Sequence, residues 1–248
     1  MKKFDLISFA TADELARAAA SAWLNEIAAA NRAGKRHCVA LSGGRIARKF
    51  FASVVEQAKA RKIRGDDTPS LPGNVHFFWA DERCVPPDDA ESNFAIARKF
   101  LFAPLKISDA QIHRIHGEAS PEAAVKAAST EISKIAPLNE TGQPVLDIIF
   151  LGMGGDGHVA SLFPGEPDVL ISDRAIYRSV ENSPKPPPNR ITLGYPAIAA
   201  AKQVWVLVSG PGKEAALCES LVPTSRTPLA RVTQFRTRTK VFSDFLPV

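Results

Sequence analysis

Cysteine is scarce in this chain. The 248 residues include three, Cys38, Cys84 and Cys218, far apart and in no metal-ligand spacing. Such a set argues against a disulfide scaffold or a structural zinc site, and for a reducing compartment. Long apolar runs are missing too. No stretch approaches the ~18 consecutive apolar residues that a membrane-spanning helix needs. Charge of one sign is also lacking, with 31 Lys and Arg against 26 Asp and Glu, a net charge of +5. The tightest basic group, Arg226, Arg231, Arg236, Arg238 and Lys240, has no interleaved aromatic ladder. Nucleic acid is therefore not an expected partner, whereas a small anionic substrate suits the mild positive charge. There is no G-x-S-x-G elbow, and the Ser42-Gly43-Gly44 turn is neither a Gly-Lys-Ser/Thr phosphate loop nor a G-x-G-x-x-G fingerprint.

What remains is an ordinary globular composition, 45% apolar and 23% charged. A chain this long can bury about 70% of its unfolded surface without a staple. Segment 1–10 has two lysines and a short apolar run, but Asp5 interrupts it and Asp13, Glu14 and Arg17 follow. That is a poor secretory leader, so a cytoplasmic protein is expected. No low-complexity linker or internal repeat divides the chain. The expectation is a single domain over 1–248 with a small excursion near 160–200.

Hydrophobic periodicity predicts strands alternating with helices. Strands are expected at 6–9, 38–41, 75–79, 112–115, 145–151, 175–180 and 204–208, with a last one around Val241 and Phe242. Helices are expected at 12–30, from Ile46 onward, from Ser92 to about Phe102, at 121–135 and at 213–221. In the first, Leu15, Ala19, Trp23 and Ile27 form one apolar stripe. Thr11 or Asp13 is placed to cap it, and Ser92 to cap the third. A helical turn is expected near Val159. Segments 65–73 and 183–188 read as loops. The alternation predicts an α/β fold: a three-layer, Rossmann-like, mainly parallel sheet flanked by helices.

In such folds ligands sit beyond the carboxyl ends of the strands. Four suggestive segments fall there. Ser42-Gly43-Gly44 opens a helix, where free N–H groups bind anions. Asp81-Glu82-Arg83 offers an acid to orient or accept a proton and a guanidinium to hold an anion. Four glycines at 152, 154, 155 and 157 lead to His158. A neutral imidazole there can take a proton from water. Lys213 begins a helix after Gly210-Pro211-Gly212, where a cation opposes the dipole and is tolerated best beside an anion. Arg190, after the proline loop, is a similar candidate. Each has a plainer alternative, namely a tight turn, a salt-bridged surface or a solvated side chain.

Together these blocks resemble the 6-phosphogluconolactonases of the oxidative pentose phosphate pathway. That group is related to glucosamine-6-phosphate deaminases and ribose-5-phosphate isomerases. The matching blocks are Leu41 to Gly44, Phe78 to Val85 with Ser92-Asn93, Leu151 to Gly165, Arg190 to Leu193, and Gly210 with Lys213. Ser161-Leu162-Phe163-Pro164 after the Gly-Asp-Gly-His stretch favours the lactonases over the deaminases.

The resemblance implies His158 as general base and Asp81 as a second active-site acid. It implies a substrate pocket lined by Ser42, Gly43, Gly44 and Gly155. Arg83, Arg190 and Lys213 would hold the phosphate or the oxyanion. It implies no metal and no organic cofactor. The small-molecule partner would be a sugar phosphate, and the oligomeric state stays open between monomer and weak dimer.

Two departures stand out. Ser-Gly-Gly is usually followed by a small polar residue and Thr-Pro, whereas this chain has Arg45-Ile46-Ala47. Arg45 either replaces the lost phosphate contact or points to solvent. The C-terminal segment around Phe242 is also atypical. The expected reaction is hydrolysis of 6-phospho-D-glucono-1,5-lactone. The alternatives are a deaminase or isomerase using Asp81 as base, and a noncatalytic sugar-phosphate binder.

Overall fold

The computed structural model describes residues 3–63 and 73–245. The loop expected at 65–73 lies, apart from Gly73, outside the described residues. Six strands form one sheet: β1 (Phe4–Ser8), β2 (His37–Leu41), β3 (Val75–Trp79), β5 (Ile148–Gly152), β8 (Gln203–Val208) and β9 (Thr239–Ser243). Their order is β1-β9-β8-β5-β2-β3, and every pairing is parallel. Side chains of β2 are buried without alternation, as are nearly all of β5 and β8. Interior parallel strands are covered on both faces, which explains why these segments read as continuous apolar runs.

The helices α1 (Ala12–Arg32) and α2 (Arg45–Ile63) pack against each other. The Leu15, Ala19, Trp23 and Ile27 stripe is buried as expected. Thr11 caps α1 by accepting a hydrogen bond from the Glu14 backbone N–H. Trp23 meets Phe50, Phe77 and Phe150 with ring centroids 5.0 to 6.4 Å apart. This aromatic cluster ties both helices to β3 and β5. Ser92 caps α3 (Asn93–Ala97), which passes through a π-helical turn (Arg98–Phe102) into α4 (Ala103–Leu105). The helix α5 (Pro121–Ile135) has the predicted bounds.

Several expectations are corrected. Asp81 to Arg83, read only as the segment following a strand, is itself a strand, β4. It pairs antiparallel with β7 (Arg190–Leu193), which pairs antiparallel with β6 (Tyr177–Val180), giving a second small sheet. No strand forms at 112–115. Ile112 makes a lone bridge to Phe77 of the edge strand β3. No helical turn starts at Val159, whose backbone bridges to Met153 and Leu162 and folds the glycine loop back on itself. Lys213 is the N-cap of α8 (Glu214–Ser220) rather than its first residue. Sequence reading passed over the strand β7 and three short helices, α6 (Asp168–Ile171), α7 (Tyr195–Ala200) and α9 (Pro228–Gln234).

The topology places the site. From β2 the chain steps outward to β3, and later returns to lay β5 on the other side of β2. Neighbouring strands whose connections depart in opposite directions leave a crevice at their carboxyl ends. The loops after Leu41 and Gly152 bound that crevice, and the small sheet overhangs it through β4 and β7.

Candidate active site

A cleft of about 100 Å³ opens at this crevice. Its lining includes Ser42, Gly43, Gly44, Arg45, Asp81, Arg83, His158, Arg190 and Lys213. All the expected site residues converge here except Gly155. That residue packs towards the backbone of Gly212 and is not part of the lining. A larger cleft, about 340 Å³, lies beside the β3 edge. Two of its polar side chains are engaged: His113 by His76 and Glu131, and Arg114 by Glu118.

His158 is held from one side only. Its Nδ1 lies 2.5 Å from Asp156 Oδ1, so the ring donates Nδ1–H to the carboxylate and presents Nε2 as an acceptor. Phe163 packs against the ring with centroids 5.0 Å apart. A methyl group on Gly154 would overlap the imidazole, so glycine is required for the ring to lie against this loop. Burial lowers the His158 pKa, and the hydrogen bond and charge of Asp156 only partly offset it. The net position is below the usual histidine value, so the imidazole is neutral at neutral pH. Burial pushes Asp156 up, but His158 and Lys185 outweigh it and hold the carboxyl at about 2. The acid is ionised throughout the working range.

Asp81 is 4% exposed. Its Oδ2 accepts from the Ser161 hydroxyl at 2.7 Å, and Oδ1 lies 3.4 Å from Asn93 Nδ2. Glu82 points the other way. Its carboxylate accepts from the backbone N–H groups of Arg83, Asn93 and Phe94, and from Ser92 Oγ. It anchors the start of α3 rather than facing the cleft. Burial raises it to about 7 despite those backbone donors. Asn93 Nδ2 donates to the Asp81 carbonyl at 2.9 Å, and its amide lies where a Gly43 Cβ would be. The first glycine of Ser-Gly-Gly is thus fixed by close approach. Ser42 also braces, donating its hydroxyl across the crevice to Phe150 O at 2.8 Å.

The cations differ in how free they are. Arg190 donates Nε and Nη2 to the carbonyls of Pro187, Lys185 and Pro186. Its Nη1 lies 3.5 Å from Ser161 Oγ, and its guanidinium covers the Phe163 ring. Arg83 Nη1 donates to Glu91 O at 2.8 Å. The side chains of Arg45 and Lys213 make no hydrogen bond or short ion pair among the described residues. Burial lowers the Lys213 pKa, and the nearby charge of Arg45 lowers it further. Asp244 offsets part of that repulsion, and the two neighbouring cations, one leading α2, suit an incoming anion. Among the described residues no group of three His, Cys, Asp or Glu side chains has metal-holding geometry.

Comparison with known proteins identifies the family. The family model described as glucosamine-6-phosphate isomerases/6-phosphogluconolactonase matches residues 10–241. The chain belongs to that family. It is 38% identical over 220 residues to the 6-phosphogluconolactonase of Mycobacterium tuberculosis, covering 86% of this chain and 84% of that protein. The enzyme of the same name from Streptomyces coelicolor is 33% identical over 213 residues, covering 84% of this chain and 78% of the relative. Among solved structures, the 6-phosphogluconolactonase of Trypanosoma cruzi superposes with a TM-score of 0.81 at 25% identity, over 98% of this chain and 95% of that one. Within this family member, the segment that carried the resemblance acquires a physical role. Ser161 holds Asp81, and Phe163 backs His158.

Two residues of the site were not singled out from sequence. Asp156 carried a usable signal, an acid two positions before the histidine on a glycine loop. Lys185 carried none, since it reaches the site from 27 residues beyond His158.

Proposed function

We propose that this chain is a 6-phosphogluconolactonase, a single-domain cytoplasmic enzyme over 1–248 acting without metal or organic cofactor. The observation that carries the reading is the Asp156–His158 pair, whose free Nε2 borders a cleft lined by cations. Among the described residues no helix is long and apolar enough to cross a membrane.

In the proposed reaction His158 Nε2 takes a proton from water, and the oxygen attacks the lactone carbonyl carbon. The C=O π pair moves onto the carbonyl oxygen, giving a tetrahedral oxyanion. Arg83 and Arg190 stand on the wall beside Asp81 and stabilise that charge more than the flat ground state. Collapse breaks the bond to the ring oxygen, which receives the proton from the imidazolium. Product is 6-phosphogluconate. Arg45 and Lys213, free of protein partners, take the 6-phosphate. Asp81, fixed by Ser161, positions substrate hydroxyls.

The test is lactone loss above the spontaneous rate, with substrate generated in situ. Wild type is expected to accelerate the loss, and His158→Ala to lose ~100-fold or more of the enzymatic rate. Well-folded wild type that leaves the background rate unchanged, but deaminates glucosamine 6-phosphate, would replace this reading with the deaminase one. Tight binding of 6-phosphogluconate without any turnover would replace it with a binding protein.

A further inference from the structure

The proline loop brings a cation to the rear of the catalytic pair. Lys185 Nζ stands 3.0 Å from Asp156 Oδ2 and 3.3 Å from His158 Nδ1. Because Nδ1–H is already directed at Asp156 Oδ1, the ammonium's partner is the other carboxylate oxygen. One carboxylate is thus shared, with imidazole on one oxygen and ammonium on the next. Lys185 does not line the cleft.

The loop is built to keep Lys185 there. Ser183 Oγ accepts from the Lys185 N–H at 3.2 Å and donates to Lys185 O at 2.9 Å. Arg190, itself 3% exposed, clamps the carbonyls of Lys185, Pro186 and Pro187. The backbone is fixed on both sides of a side chain that remains 41% exposed. With its backbone pinned, the lysine loses less freedom on holding Asp156 than a lysine on a loose loop would.

We propose that Lys185 is a positioning residue, the rear member of a Lys185–Asp156–His158 relay that holds the imidazole with Nε2 toward the cleft. The inference rests on the proposed role of His158 as general base. Without the ammonium, Asp156 is held through Oδ1 alone, by the His158 ring and its backbone N–H, and the ring loses part of what fixes its tautomer. The electrostatics point the same way. Asp156 and Asp81 favour the imidazolium, and burial and Lys185 oppose it. Arg83 and Arg190 of β4 and β7 stand on the same cleft. Removing the one cation in contact with the ring leaves the two acids less opposed, so His158 should protonate at higher pH.

The experiment is an NMR titration of isotope-labelled histidine in the full chain, alongside kcat and KM. It compares wild type with Lys185→Met and Lys185→Arg, each checked by thermal melting. Wild type should show His158 as the Nδ1–H tautomer. Lys185→Met should raise its titration midpoint by about 0.5 and populate the other tautomer. Its kcat should fall ~10-fold with KM little changed, a fraction of what the base itself supplies. Lys185→Arg should restore midpoint and tautomer, because it restores the charge. A His158 midpoint and tautomer unchanged in a folded Lys185→Met variant would overturn the relay. Absence of lactone hydrolysis in every form would defeat the proposed function, while the NMR midpoint would still decide the relay.

Discussion

The two walls of the cleft are built on opposite principles. On the wall formed by β4, β7 and the glycine loop, the polar side chains are already engaged by protein. Asp81 is held by Ser161, His158 by Asp156, Arg190 by three loop carbonyls and Arg83 by Glu91. On the wall formed by the start of α2 and the N-cap of α8, Arg45 and Lys213 repel each other with no close partner among the described residues. The difference teaches how the work is divided. Pre-oriented groups cost little reorganisation at the moment of reaction, which is what a transition state rewards. Unpaired cations gain most from an incoming anion, which rewards binding in ground and transition states alike. One wall should therefore govern kcat and the other KM.

The largest expected effects break the engaged wall. Asp156→Asn keeps the shape but removes the charge that fixes the Nδ1–H tautomer. It should cost ~100-fold or more in kcat with a normal fold, measured by lactone loss. A smaller, sharper probe is pH. The His158 pKa lies below the ordinary 6.5 because burial outweighs Asp156. Protonation disables the base, so kcat/KM should rise with pH along an acid limb centred below 6.5 and be flat at neutrality. A limb centred above 6.5 would mean that the base is another group or another environment.

On the open wall, Lys213→Ala should raise KM ~10-fold or more through the loss of one charge-assisted contact to phosphate. Arg45→Ala should raise it less, since that side chain is the more exposed of the two. A control outside both walls is Trp23→Ala. It should cost about 3–5 kcal/mol of stability by emptying the aromatic cluster, read by denaturant titration. The acid limb of the surviving folded enzyme should not move.

How far the sequence could be read follows from which interactions are local. The strands β2, β3, β5 and β8 were legible because a doubly covered parallel strand must be apolar along its whole length. The helix α1 was legible from stripe and cap. The small sheet was not, because β4 is Asp-Glu-Arg. Its polar residues are buried for tertiary reasons, Glu82 to anchor α3 and Asp81 to meet Ser161 80 positions away. The short helices α7 and α9 span too few residues to show a period. At the site, His158, Asp81 and the glycine turns announced themselves by their place after apolar strands. The brace made by Glu82, the dyad made by Asp156 and the approach of Lys185 depend on side-chain directions that spacing does not encode. Arg45, open between two readings in the sequence, lines the cleft beside Lys213.

The division between the walls is tested most directly by measuring kcat and KM for Asp156→Asn and Lys213→Ala side by side, under one lactone assay and at one ionic strength. The account predicts that Asp156→Asn loses kcat with KM within about twofold of wild type, and that Lys213→Ala raises KM with kcat within about twofold. Equal losses of kcat in both variants, with KM unmoved in either, would contradict it.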